Sequence, residues 1–188
     1  VKTRKAEATI TTDEEPGRAE VSKIPDLRPA FAKDGTVTAA SSSSISDGAA
    51  TLLLMRAAEA ERRGMQPLAR IAGHSGYAQD PAWFTTSPVY AIRALQDELG
   101  WSPDDVDLYE INEAFACVTM AAMHDVGIAH EQVNVNGGAC ALGHPIGASG
   151  ARILVTLVHA LAKRGGRRGI ASLCIGGGEA VAIGIETV

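Results

Sequence analysis

The stretch that most constrains this chain is residues 134–152, NVNGGACALGHPIGASGAR. In it Gly137, Gly138, Gly143, Gly147 and Gly150 surround a single His-Pro pair, His144-Pro145. Glycine loses more backbone entropy on ordering than any other residue, so five of them in so short a stretch imply left-handed dihedrals or close approach of backbones. Residues 151–162 then turn strongly apolar, as a buried helix does. A tight polar loop thus delivers one imidazole to the mouth of a packed helix, a common way to hold a reactive group on a rigid scaffold. The plainer reading is a Gly-rich turn with a surface histidine.

What surrounds this loop reads as alternating strands and helices. Strands are expected at 35–38, 67–74, 106–111, 169–174 and 180–188, and helices at 49–63, 88–99, 112–126 and 149–164. Gly64, Gly100 and Gly127 stand where helix ends call for a left-handed residue. Asp47, closing a serine run, suits the N-cap of the 49–63 helix, and Leu52, Leu53, Leu54 and Met55 suggest that its first half is buried on all sides. Alternation of this kind argues for a layered α/β domain with a mostly parallel five-stranded sheet, flanked by helices and closed by an antiparallel final pair. Residues 1–34, with Asp13-Glu14-Glu15-Pro16-Gly17, Pro25 and Pro29, read as a polar linker or the end of an upstream loop segment.

Composition narrows the function classes. Apolar residues make up 46% of 188, enough for a real core, and the net charge of −5 leaves no broad nucleic-acid footprint. The basic run from Lys163 to Arg168 reads as a solvated helix end and turn. Three scattered cysteines, Cys117, Cys140 and Cys174, fit neither a disulfide framework nor a zinc site and suit a reducing, cytoplasmic compartment. No apolar run is long and charge-free enough to span a bilayer, and the basic residues 1–5 lead into no apolar core of a signal peptide. The first residue is Val rather than Met, so the sequence is expected to start within a longer protein.

In open α/β sheets, polar residues just past strand ends point into a shared crevice. Three fall there: Asn112, His144 and Cys174. Singly, each has a plain structural reading, as a helix cap, a hydrogen-bonded imidazole and a small buried hydrophobe. Jointly, an amide, an imidazole and a thiol form an acid/base and oxyanion kit. Cys174 precedes Gly176-Gly177-Gly178, whose N–H groups are sterically open, as an oxyanion hole requires. Nucleotide-loop readings fail. The central loop lacks the Gly-Lys-Ser/Thr ending of a phosphate loop, and the glycine triplet precedes a strand rather than a helix.

Three motifs now stand together: Asn112-Glu113-Ala114-Phe115; Asn136-Gly137-Gly138 running through Gly143-His144-Pro145-Ile146-Gly147-Ala148-Ser149-Gly150; and Cys174-Ile175-Gly176-Gly177-Gly178. In this order they resemble the thiolases. The stretch Gly35-Thr36-Val37-Thr38-Ala39, then Ser43 and Asp47-Gly48-Ala49-Ala50, extends the likeness, so that residues 35–188 resemble the thiolase C-terminal domain. Ala40-Ser41 and Phe84 depart from the pattern, where relatives often carry Gly-Asn and Met.

The resemblance implies an acyltransferase that condenses two acetyl-CoA into acetoacetyl-CoA and CoA, or runs the reverse thiolysis. His144 would take the proton of an acylated cysteine. Cys174 would remove a proton from the α-carbon of the second thioester. His144 and a water held by Asn112 would stabilise the enolate oxygen, and the Gly176 N–H would help hold the tetrahedral oxyanion. Phe84, Ala114 and Phe115 would wall the acyl pocket, with Ser43 near the CoA pantetheine. No metal or tightly bound cofactor is implied, since CoA is part of the substrate, and the family's habit implies a homodimer or homotetramer. The acylated cysteine of the family has no matching motif here, because neither Cys117 nor Cys140 sits in one. The N-terminal half is therefore expected to be missing and the chain alone to be inactive. A longer-chain 3-ketoacyl-CoA thiolase and a non-catalytic acyl-CoA or lipid-binding module are the alternatives. The sequence Cys174-Ile-Gly-Gly-Gly speaks against a ketoacyl-carrier-protein synthase.

Overall fold

The computed structural model describes Glu7 and residues 9–188. The basic residues among 1–5 lie outside that set. Along the expected linker the described residues include a capped turn of helix, α1 (Glu14–Arg18), and a 3-10 turn at Val21–Asp26. The Asp13 carboxylate accepts from the Glu15 N–H and so starts α1. The remaining elements are α2 (Ala57–Arg62), β1 (Ala69–Ala78), α3 (Ser87–Leu99), β2 (Leu108–Ile111), α4 (Ala116–Val126), the single turn α5 (Ala139–Leu142), α6 (Ser149–Arg164), β3 (Arg168–Ile175) and β4 (Glu179–Thr187). Among the described residues no helix is long and apolar enough to cross a membrane.

The strands form one sheet in the order β1-β4-β3-β2, flanked by helices, so the layered α/β reading holds. Two details of it do not. The sheet has four strands, and only β2 and β3 pair parallel. Residues 35–38 supply no fifth strand because they are the return arm of a tight turn. Gly35 N–H donates to Ala32 and Ala30 N–H to Val37, which uses up the local pairing. The sheet is not mostly parallel because of where the reversed strand lands. The Gly176–Gly178 turn folds β4 back on β3, and β1 then adds to the free edge of β4, Ala69 opposite Thr187. β1, β2 and β3 all run one way, but β4 lies between two of them, so two of the three pairings are antiparallel.

Alternation along the strands divides the core in two. Tyr109, Ile111, Ile170, Cys174, Ala180 and Ala182 face α3 and α4, meeting Val89, Ile92, Leu95, Val118 and Ala122. Leu108, Ala171 and Ile185 face α6, meeting Ile153, Leu157 and Leu161. Each layer is a helix stripe against one face of the sheet, and α3 and α6 end on Gly100 and Gly165, both left-handed.

The expected 49–63 helix is largely absent. Only Ala57–Arg62 is helical, Asp47 caps nothing, and Leu53 and Leu54 are 72% and 65% exposed. Leu52 packs against the α6 layer, but Leu53 and Leu54 find no apolar cover among the described residues, and propensity alone does not sustain a helix in water. Just before it the chain is held extended along the glycine loop. Ile45 bridges to His144, and a Cβ on Gly48 would lie 2.7 Å from the Pro145 ring.

Candidate active site

The end of β2 is built to present Asn112. Asn134, in the left-handed region at φ 47°, accepts the Ile111 N–H and returns its amide to the Ile111 carbonyl and to the Glu113 carboxylate, all within 3.0 Å. Asparagine tolerates this backbone state better than most residues. The Asn112 N–H donates to Ser172 of β3, so the strand pairing runs one residue past β2. Asn112 does not cap the next helix: α4 begins only at Ala116, and the Asn112 side chain turns the other way. It is 1% exposed, and its Nδ2 lies 3.2 Å from His144 Nε2.

The other nitrogen of His144 fixes its tautomer. Ser149 Oγ donates its only proton to the Pro145 carbonyl at 3.0 Å and lies 2.6 Å from His144 Nδ1. The hydroxyl therefore accepts, Nδ1 carries the ring proton, and Nε2 is the bare nitrogen that receives the Asn112 amide. Burial first, and the positive charge of Arg152 second, lower the imidazole's affinity for a further proton. The loop holds the ring through its backbone too, with His144 N–H donating to Ser44. Gly143, at φ 88°, makes this approach feasible, since a Cβ there would sit 2.2 Å from Ser46 Oγ.

Cys174 stands on the neighbouring strand, two residues beyond Ser172 and on the face toward α3 and α4. It is buried, and burial pushes its thiol up to about 11. Past it, Gly178 N–H closes a turn on Ile175, and the Gly178 carbonyl accepts from Ser87 Oγ at 2.7 Å and Gln79 N–H at 3.1 Å. Gly178 sits at φ 99°, where a Cβ would lie 2.2 Å from the Gln79 carbonyl. Gly176, by contrast, has open space around it. The turn is clamped at its far end and free at the position proposed for the oxyanion.

Ser43, Ala114, Phe115 and Phe84 come together as one wall. Ser43 donates both its N–H and its Oγ to the Ala114 carbonyl, and Ser42 bridges to Phe115. The Phe84 ring meets Phe115 edge-on at 6.3 Å, and both pack against the core cluster that contains Cys174. Phe31, from the segment read as linker, adds a second edge-on contact to Phe115 at 5.8 Å.

Sequence reasoning missed Ser149, Asn134 and Phe31, and named Glu113 only as part of a motif. Glu113 instead ties the site to the loop, accepting from Asn134 and from the Cys140 N–H. A Cβ on Gly138 would lie 2.1 Å from its carboxyl carbon. Asn134 alone carried a signal, being an Asn at a strand-to-loop junction. Cys140 makes a poor nucleophile, because burial and the adjacent Glu113 push its thiol up to about 12 and so keep it protonated. No cluster of three or more His, Cys, Asp or Glu suited to a metal ion occurs among the described residues.

Comparison with known proteins shows the family. Residues 65–187 match the thiolase C-terminal domain, and residues 1–58 match the thiolase N-terminal domain. The acetyl-CoA acetyltransferase of Shinella zoogloeoides is 50% identical over 189 residues, covering 100% of this chain and 48% of the relative. The crystal structure of the Bacillus anthracis acetyl-CoA acetyltransferase superposes with a TM-score of 0.93 at 47% identity, covering 100% of this chain and 48% of that one. The Acat5 thiolase of Ascaris suum, solved in complex with coenzyme A, gives 0.86 at 39% identity over 95% of this chain and 47% of that one. The chain thus spans about half the length of the relatives it matches. With both family domains matched in order, and three site motifs set around one sheet end, the chain belongs to the thiolase family.

Proposed function

We propose that this chain supplies the acid/base and oxyanion groups of an acetyl-CoA acetyltransferase, interconverting two acetyl-CoA with acetoacetyl-CoA and CoA. The observation that carries the reading is His144, neutral by tautomer and burial, with Nε2 bare and an amide donor 3.2 Å from it. An imidazole so held offers a lone pair at Nε2 to a proton, and its lowered proton affinity makes the imidazolium a good acid for returning it.

In this reading His144 Nε2 takes the proton of a cysteine thiol that the family supplies from its N-terminal half. That sulfur attacks the thioester carbonyl, and the Gly176 N–H holds the oxyanion until CoA leaves as a thiol with the proton from His144. Cys174, as thiolate, then takes a proton from the α-carbon of a second acetyl-CoA. His144 and Asn112 stabilise the enolate oxygen, the carbanion attacks the acetyl group on sulfur, and the first cysteine leaves as a thiol with the proton that Cys174 took up. A thiol held up to about 11 is sparsely ionised at neutral pH, but its thiolate is the stronger base, as a weakly acidic α-carbon requires. No step calls for a metal or a bound cofactor. The rings of Phe84 and Phe115 close the acyl side, favouring acetyl over longer chains. Homo-oligomerisation is proposed with the function, on the family's habit.

The test is cleavage of acetoacetyl-CoA by CoA. Residues 1–188 alone should give no turnover. The chain completed with the rest of a thiolase N-terminal domain should cleave it, and should prefer it to longer 3-ketoacyl-CoA. Turnover by residues 1–188 alone, or binding without turnover in the completed chain, would overturn the proposal.

A further inference from the structure

Asn112 and His144 stand 32 residues apart in the chain, yet their side chains meet at 3.2 Å. One side chain bridges the two segments that carry them: Glu113, the residue after Asn112. Its Oε1 accepts from Asn134 Nδ2 at 3.0 Å, and its Oε2 accepts from the Cys140 N–H at 3.1 Å. Cys140 lies in α5, and Gly143 N–H closes that turn on the Ala139 carbonyl immediately before His144. Asn134 cannot turn its amide over to offer Glu113 an oxygen. Its Oδ1 already faces the Ile111 N–H at 2.9 Å and its Nδ2 the Ile111 carbonyl at 2.8 Å. Both groups that meet Glu113 are therefore donors. A carboxylate answers both, whereas an amide of the same shape would turn an N–H toward one of them. The loop leaves no slack around it, since a Cβ on Gly138 would lie 2.1 Å from the carboxyl carbon.

We propose that Glu113 is a positioning residue for the pair formed by Asn112 and His144. It fastens the turn after β2 to the turn before His144, so that the amide and the imidazole meet at hydrogen-bond distance. The two segments are also tied outside this clasp, the Asn112 N–H to Ser172 and the His144 N–H to Ser44. Loosening Glu113 therefore releases the spacing of the pair while the strands and the serine strip keep their places. Spacing of that kind matters to rate, because a misplacement of about 1 Å near reacting groups can cost roughly 10²-fold. The kinetic consequence rests on the reading of Asn112 and His144 as oxyanion groups. The geometric one does not, and the two are measured separately.

The first readout is NMR of the Asn112 side-chain amide in the full chain, recognised by its loss in Asn112→Ala. His144→Ala removes the acceptor and so sets the shift that a broken contact gives. Glu113→Gln, which keeps the shape and loses one acceptor, should move the signal in the same direction. If Glu113→Gln fails to fold, Gly138→Ala presses a methyl onto the same carboxylate, at a φ of −121° that alanine adopts freely, and should move the signal likewise. An Asn112 signal left in place in whichever variant folds would overturn the proposal. The second readout is cleavage of acetoacetyl-CoA by the completed enzyme. Glu113→Gln should lower kcat by roughly 10-fold with KM little changed, and in an Asn112→Ala background it should cost less than about 2-fold, because residues that act as a unit do not add. Equal losses in the two backgrounds would also overturn the proposal, since a group with a merely structural role costs as much when the amide is gone. If the completed chain turns over nothing, the proposed function fails, and the Asn112 signal alone decides the role of Glu113.

Discussion

His144 and Cys174 serve one proposed site and are held by opposite means. His144 is fixed by hydrogen bonds: one ring nitrogen meets Ser149, the other Asn112, and its own N–H meets Ser44. Cys174 sits among apolar side chains on the side of α3 and α4, and burial dominates its thiol. The lesson is that a group which must change protonation quickly is given partners for its neutral form. A group that must act as a strong base is given an apolar surround that penalises its charged form. The two environments fit the two steps assigned to them.

The largest expected effect is on the hydrogen-bonded side. In the completed enzyme, His144→Ala should lower kcat by roughly 10³-fold, since both proton transfer and oxyanion support are lost. Asn112→Ala should lower it by about 10²-fold, the cost of weakening one oxyanion donor. Both are read from steady-state cleavage of acetoacetyl-CoA. If Asn112→Ala left kcat intact and lowered only thermal stability, the amide would be a structural group and the contrast between the two sides would weaken.

A smaller effect separates charge from shape on β2, two residues before Asn112. The Glu110 carboxyl has an ordinary value of 4.5 and is held up to about 7 in the fold. Between those values the folded chain keeps a proton that the unfolded chain has released, so this group's contribution to stability falls as pH rises. Glu110→Gln lacks the penalty. Its stability relative to the unmodified chain should therefore increase by roughly 2 kcal/mol from pH 5 to pH 8 in urea unfolding. A difference that stayed flat or shrank would mean that the buried carboxylate is well compensated.

The smallest effects lie on the thiol side, in the turn after Cys174. Gly178→Ala forces a side chain at φ 99° into the Gln79 carbonyl and should cost roughly 1–3 kcal/mol. Gly176→Ala meets open space and should stay within about 0.5 kcal/mol of the parent by the same unfolding assay. Equal costs at the two positions would show that the turn is not clamped from one end.

Much of this arrangement is legible in the sequence where the information is local. The helix α6 is expected at 149–164, its observed span, because its apolar run and its basic end agree. The helix α3 was expected from 88 and starts one residue earlier, at Ser87. Asn112, His144 and Cys174 were legible as strand-end polar residues beside glycines. The contact between Asn112 and His144 was not, since it spans 32 residues and depends on Asn134 holding the end of β2. The run Leu52–Met55 misled for the converse reason. Its apolar residues signal burial, but only Leu52 reaches the core, and no surface among the described residues covers Leu53 and Leu54, so no helix follows. The place of β4 between β1 and β3 was equally out of reach, because edge pairing is decided by tertiary packing rather than by strand propensity.

The division of labour between the two sides is tested most directly by the intact mass of two variants of the completed enzyme after incubation with acetyl-CoA. The account predicts that Cys174→Ala accumulates one covalently bound acetyl group, because its first step needs only the upstream cysteine, His144 and the Gly176 N–H, whereas His144→Ala stays unmodified. An unmodified Cys174→Ala, or an acetylated His144→Ala, would contradict it.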